Sequence, residues 1–198
     1  MRDIVVIGAP VGGAAALREL VGALPDDLPA TVLAVLNSMP DTPILLADVL
    51  NSARRMRATD AADGEPIEPN RIYVAADGKH LMVDGKRIRL TTDAPENNRR
   101  PSIDALFRTA AASHRDRVVA VLLLHARDDG LRGLRDVRRN GGRVITHRND
   151  HMPAPPRDDE SAEELADDHL DLQEIAPRVV AYVTEGNGAS NGSAAARK

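Results

Sequence analysis

Four short stretches of the chain, residues 4–7, 31–36, 118–124 and 143–146, are largely apolar and rich in β-branched side chains. Runs of this length and character suit strands buried on both faces, as in a parallel sheet covered by helices on either side. The first run leads into Gly8–Gly13, a turn of small residues, and then into Ala14–Leu20, where Leu17, Leu20 and the following Val21 fall along one side of a helix. Strand, tight turn and helix in that order open a doubly wound, mostly parallel α/β sheet of the Rossmann-like kind. Such sheets place their sites at this kind of turn, and Pro10 sits in the middle of it. Pro25–Pro29 ends the first helix. The second strand exits through Asn37-Ser38-Met39-Pro40, and Thr42–Asn51 reads as the next helix, capped by Asp41 or Thr42.

The pattern changes at Arg54. Gly64-Glu65-Pro66, Pro69-Asn70, Asp77-Gly78 and Asp84-Gly85 punctuate short alternating runs, so 71–75, 80–83 and 87–91 read as antiparallel strands in hairpins at one edge of the sheet. Ser102 caps a helix to about His114 with Ile103, Leu106, Phe107 and Ala110 as its apolar stripe. His125–Asp129 is the exit turn of the third buried strand, and Gly130–Arg139 continues as a helix stopped by Gly141-Gly142. The run 143–146 is expected to be the last parallel strand. Beyond it, 151–168 is rich in proline and acid, and 172–183 is apolar enough to pack back on the body. The predicted domain therefore spans 1–184, and 185–198, made largely of Gly, Asn, Ser and Ala, is expected to be a disordered tail.

Composition narrows the chemistry. A chain of 198 residues is long enough for one domain with a proper core. A net charge of -4, with one Phe, two Tyr and no Trp, offers neither the charge nor the stacking platforms of a nucleic-acid binder. The lack of cysteine excludes disulfides, thiolate chemistry and zinc-thiolate sites. Nothing at the N-terminus resembles a signal peptide and no run could span a membrane, so no membrane insertion and a cytoplasmic location are expected. The first turn lacks the GxGxxG spacing of a dinucleotide site, and no cofactor is expected.

Several blocks together resemble a known family. IGAPVGG is similar to the IGASTGG of CheB, the chemoreceptor protein-glutamate methylesterase, and NSMP to its QHMP. GEPIEPNRIYVAADGKHLMV resembles the family's long hairpin segment almost throughout, and RRPSIDALFRTAA its RPSVDxLF segment. LLLHARDDGLRGL stands where the family has LTGMGxDGAxGL, and LQEIAP also fits. The similarity covers roughly Asp3 to Val183. The resemblance implies the catalytic domain alone, and the receiver domain that usually precedes it is expected to be absent.

The family hydrolyses glutamate methyl esters with a Ser-His-Asp triad, which needs a hydroxyl to attack, an imidazole to take its proton and a carboxylate to orient the ring. Carried over, the nucleophile position is Pro10, the base position is Ser38, and only the acid is retained, as Asp129. Val11 replaces the family's Thr after the nucleophile but keeps the backbone N–H tied to oxyanion stabilisation. His125, Ala126 and Arg127 replace Gly, Met and Gly before the acid. The resemblance therefore implies a degenerate site, and a pseudoenzyme that acts by protein binding. Its partner class would be a chemoreceptor-like bundle, another signalling protein or a second copy; the residues leave the oligomeric state open. Plainer roles compete at each position: a turn residue at Pro10, a small turn or cap residue at Ser38, and for Asp129 the cap of the helix starting at Gly130. His80 reads as structural, and Arg100, Ser102 and Asp104 as a helix start with a local ion pair or hydrogen bonds. The alternative is an active esterase with a rebuilt Ser38/His125/Asp site, in which His125 is the substitute base. A metal set of His125, Asp128 or Asp129, His147 and His151 has no recognised ligand spacing, and no metal is expected.

Overall fold

The structure, a computed structural model, describes residues 1–37, 45–53, 56–76, 78–124, 129–148 and 161–185. In chain order its elements are β1 (Ile4–Ala9), α1 (Ala14–Ala23), β2 (Thr31–Leu36), α2 (Leu46–Asn51), β3 (Ala58–Asp60), β4 (Ile72–Val74), β5 (His80–Asp84), β6 (Arg87–Thr91), α3 (Ile103–His114), β7 (Val118–Leu122), α4 (Leu131–Arg139), β8 (Arg143–His147), α5 (Ala162–Leu165), β9 (Asp168–Leu170) and α6 (Leu172–Thr184). Every residue of β1, β2 and β7 is buried, which is why these segments are apolar without alternation. They lie side by side in a seven-stranded sheet of order β3-β4-β2-β1-β7-β8-β9, in which every pair is parallel.

Alternate residues of each central strand feed two cores. Val5, Ile7, Val32, Ala34, Val119 and Val121 face α1, α2 and α6. Val6, Leu33, Val35, Ala120 and Leu122 face α3, α4 and the β5–β6 hairpin. The chain runs from β1 to β2 on one side and later returns to β7 on the other. The strand order therefore reverses between β1 and β7, and a crevice opens beyond their carboxyl ends.

Two glycines let α3 approach its neighbours closely. A Cβ on Gly8 of β1 would lie 2.3 Å from Ile103 Cγ2, and one on Gly133 of α4 would lie 2.5 Å from Phe107 Cβ. Both contacts draw the N-terminal half of α3 against the crevice.

The structure departs from the pattern reading in four places. The hairpin is not at an edge of the main sheet: β5 and β6 form a separate antiparallel sheet packed on α3. One side of it is closed by α3, where Thr109 Oγ1 accepts from Val83 N–H and Ser113 Oγ donates to Val83 O. Its other side pairs with the turn before it, through Ile88 N–H to Glu65 O and Gly64 N–H to Ile88 O. Within 71–75, Ile72–Val74 instead joins the main sheet in parallel, between β2 and the unforeseen β3. The outer border of β3 is met by Asn51, whose amide donates to Ala58 O at 3.0 Å and accepts from Ala58 N–H at 2.9 Å.

The second departure is β9, a further parallel strand after β8, in a stretch whose acidic composition masks it. Its acids are used: Asp167 accepts from Val144 N–H and pairs with Arg143, while Asp168 pairs with Arg178. Third, Leu45 is the N-cap of the helix before β3, which begins at Leu46; residues 42–44 and the expected caps Asp41 and Thr42 lie outside the described residues. Fourth, β7 ends at Leu122 rather than Leu124. The tail from 186 onward also lies outside the described residues. No described helix is long and apolar enough to cross a membrane.

Gly133→Ala sets two effects against each other: about 1 kcal/mol of gained helix propensity and roughly 1–3 kcal/mol of overpacking against Phe107. Overpacking is expected to win, so the urea midpoint of the variant should fall below that of the wild type.

Candidate functional site

The crevice is built from the exits of β1, β2 and β7. Pro10 follows β1 directly and is buried, and its carbonyl accepts from Gly13 N–H at 2.9 Å, closing the turn that starts α1. Val11 at the tip is exposed. Asn37 follows β2, and its N–H donates to Ala9 O, tying the second exit to the first. Leu123 N–H donates to Gly8 O and ties in the third.

Asp129, 2 % exposed, lies beyond β7. Its Oδ1 accepts from Ser102 Oγ at 2.8 Å, Asp104 N–H at 3.0 Å and Asn97 Nδ2 at 3.0 Å. Its Oδ2 accepts from Ile103 N–H at 2.7 Å, and from the Asn37 amide at 3.3 Å with that amide turned to donate. In this orientation Asn37 donates to Pro101 O as well. A carboxylate has about four lone-pair sites. Five donors from three chain segments fill them and leave none for an imidazole.

Asp129 therefore caps a helix, but not the one that follows it. The N-cap of α4 is Gly130 and has no side-chain cap, whereas Asp129 takes the first two N–H groups of α3. The reason is reciprocal geometry. Asp104, in the first turn of α3, accepts from Gly130 N–H at 3.0 Å and Gly133 N–H at 2.7 Å and so caps α4. Each helix start carries the other's acceptor. Asn97 joins them, giving one amide hydrogen to Asp104 Oδ2 at 2.8 Å and the other to Asp129.

The remaining donors at the start of α3 are also used. Ser102 Oγ accepts from Ala105 N–H, and Ser102 N–H donates to His80 Nδ1 at 3.3 Å. A bare Nδ1 puts the ring proton on Nε2, which donates to Ala94 O at 3.2 Å. His80 is thus a neutral, buried brace, in keeping with its structural reading. The loop before α3 is clamped further by Arg108, which grips Glu96 with two bonds of 2.8 Å. This pairing holds the Glu96 carboxyl below its ordinary value. Of the two options for the helix start, the structure has hydrogen bonds: the Arg100 guanidinium donates to Thr92 O and Asp93 O, while Asp104 is turned toward α4.

Burial pushes the Asp104 carboxyl above its ordinary range; the Asp129 charge adds to this, and the Gly133 and Gly130 N–H groups and the Asn97 amide oppose it. Ser38, His125, Asp128 and His151 lie outside the described residues, as do Ala126 and Arg127. His147 closes β8, and among the described residues no group of three His, Asp or Glu could hold a metal ion. The sequence reading missed Asn37, Asn97 and the outward role of Asp104. A usable signal was present in Asn97-Asn98 ahead of Ser102-x-Asp104, since Asn tolerates the left-handed backbone found at both asparagines.

Removing Asp129 strands buried donors at the start of α3. Asp129→Ala is expected to cost about 3–5 kcal/mol of stability, read from urea unfolding. A neutral or stabilising result would mean that the carboxylate has no part in holding the fold.

A carboxyl raised in the folded state above its unfolded value of 3.8 opposes folding when ionised. That part of the stability is full below the unfolded value and is lost as pH rises through the raised one. Comparison of unfolding midpoints against pH should show this fall in the wild type and not in Asp104→Asn. Glu96 slopes the opposite way in both proteins and cancels in the difference.

Comparison with known proteins matches the geometry. The family model described as CheB methylesterase matches residues 5–179. The chain is 37% identical over 187 residues to "Protein-glutamate methylesterase/protein-glutamine glutaminase 3" of Anaeromyxobacter dehalogenans, covering 91% of this chain and 54% of that protein. It is 34% identical over 189 residues to the protein-glutamate methylesterase/protein-glutamine glutaminase of Moorella thermoacetica, covering 92% and 44%. It thus spans about half the length of these relatives. The crystal structure of the Thermotoga maritima CheB methylesterase catalytic domain aligns with a TM-score of 0.79 and 26% identity, over 91% of this chain and 98% of that one. From residue 5 to residue 179, then, in sequence and in fold, the chain belongs to the CheB methylesterase family.

Proposed function

We propose that this domain is a member of the family that has lost ordinary methylesterase activity and works by binding a protein partner. One observation carries the reading: Pro10 stands at the end of β1, in the position the resemblance gives to the nucleophile. A pyrrolidine ring has no hydroxyl to attack an ester, and no neighbouring group can activate one that is absent. Ser38, at the base position, cannot take a proton near neutral pH. The Asp129 carboxylate is occupied by the fold, so its retention is explained without catalysis. What survives of the site is the turn itself, with the Val11 N–H and the start of α1, enough for binding and oxyanion effects only. The partner class is a chemoreceptor-like protein or another signalling protein.

The test is methanol release from a methylated receptor fragment, together with hydrolysis of an aryl ester. No turnover above background is expected from the wild type. Turnover that disappears in Ser38→Ala or His125→Ala would replace this reading with the rebuilt site. In Pro10→Ser/Ser38→His, nucleophile and base are returned. A gain is expected on the activated aryl ester alone, because five donors keep Asp129 from orienting the new imidazole.

A further inference from the structure

The β5–β6 hairpin is fastened to α3 along the length of β5, and a histidine stands at each end of the seam. Between them Val83 N–H donates to Thr109 Oγ1 at 3.1 Å, while Ser113 Oγ accepts from Gly85 N–H at 3.3 Å and donates to Val83 O at 3.2 Å. Leu81, Val83 and Ile88 of the hairpin are buried in one cluster with Leu106, Phe107, Ala110 and Ala111 of α3. At the start of α3, His80 is bonded through both ring nitrogens, to Ser102 N–H and to Ala94 O.

His114, at the other end, is not. It is the last residue of α3 and only 7 % exposed, and among the described residues neither of its ring nitrogens has a hydrogen-bond partner. A neutral imidazole in such a place strands one N–H; the cation would strand two and bury a charge as well. The groups that face it are Arg117 just beyond α3, Lys86 on the hairpin turn and Asp3 ahead of β1. Asp3 is already taken by Arg117, which donates to both of its oxygens, so two cations confront the ring and their one counter-charge is committed. Burial pushes the His114 imidazole below its ordinary value of 6.5; the Arg117 and Lys86 charges add to this, and Asp3 and the Gly85 backbone oppose it. The turn that covers this end of the seam, Asp84–Lys86, is itself exposed, so lifting it admits water to the ring.

We infer that His114 is a proton-sensitive latch, which holds the hairpin turn on α3 while its ring is neutral and releases the turn on acidification, when water must reach the imidazolium. The sign follows from linkage. A histidine held below its ordinary value contributes docking stability that is full above 6.5 and is lost as pH falls from there through the lowered value. Release begins at the turn, because His80 keeps the opposite end of β5 bonded to the start of α3. It uncovers apolar surface, the inner side of the hairpin and the stripe of α3 beneath it. The latch is independent of ester chemistry in the crevice, and works whether or not the domain turns over substrate.

The test is amide hydrogen exchange of the full chain at about pH 7.5 and about pH 5, either side of the range in which histidine ionises, with each rate divided by the intrinsic rate at that pH. Protection of the Val83 and Gly85 N–H groups, which report the seam directly, is expected to fall about tenfold at the lower pH, while Val6 of β1 and Ala120 of β7 keep theirs. Fluorescence of an added apolar dye, anilinonaphthalene sulfonate, should rise over the same range. His114→Leu cannot take a proton, and in it both N–H groups should be equally protected at the two pH values. His114→Gln, which is also uncharged at both, makes the same comparison should the leucine fail to pack. Unchanged protection of Val83 and Gly85 in the wild type would overturn the inference. So would an equal fall in the variants, or a fall shared with Val6 and Ala120, which would mean that the whole domain loosens.

Discussion

Two buried carboxylates, each capping the helix that carries or follows the other, hold the working end of this domain together. Helix starts present N–H groups that need acceptors, and when the starts are buried water cannot supply them. Here Asp129 serves α3 and Asp104 serves α4, so each helix start is satisfied by an acceptor that the other helix start carries. Burying two like charges so close is costly. Asn97 eases it by dividing one amide between them, and the glycines at positions 8 and 133 bring the backbones near enough for the exchange. The Glu96–Arg108 clamp and the His80 brace then keep the loop of Asn97 in place.

A carboxylate that accepts from three chain segments is under structural constraint whatever becomes of the chemistry nearby. The first-turn proline is under no comparable demand for a hydroxyl: it closes its turn through a backbone carbonyl that any residue would supply. On the proposed reading, an acid that persists at Asp129 while the nucleophile and base positions change is the outcome to expect when one residue serves two ends and the others serve one.

Much of the fold was legible because burial on both faces leaves a plain mark. β1, β2 and β7 are wholly enclosed and therefore wholly apolar, and α3 announces itself with Ser102 and a regular stripe. The border elements were harder. β3 has three residues with only Ala58 buried, and β9 is built of half-buried Asp, His and Leu; neither has a pattern that distinguishes it from a loop. The hairpin was recognised, but its seat on α3 depends on hydroxyls of Thr109 and Ser113, which in sequence look like ordinary helix-surface residues. Within the site, Asp129 was noticed for its place in a motif, and its true service to α3 was hidden because capping partners 26 residues apart leave no local spacing.

The amide of Asn51 guards the outer border of the sheet. By meeting both the N–H and the C=O of Ala58, it plugs the outermost strand with a side chain. A second molecule could extend the sheet there only by first evicting that side chain, so edge-to-edge polymerisation is blocked along this border. Self-association on that flank would have to be made from complementary side chains, which a cell can tune, rather than from main-chain pairing, which is indifferent to sequence.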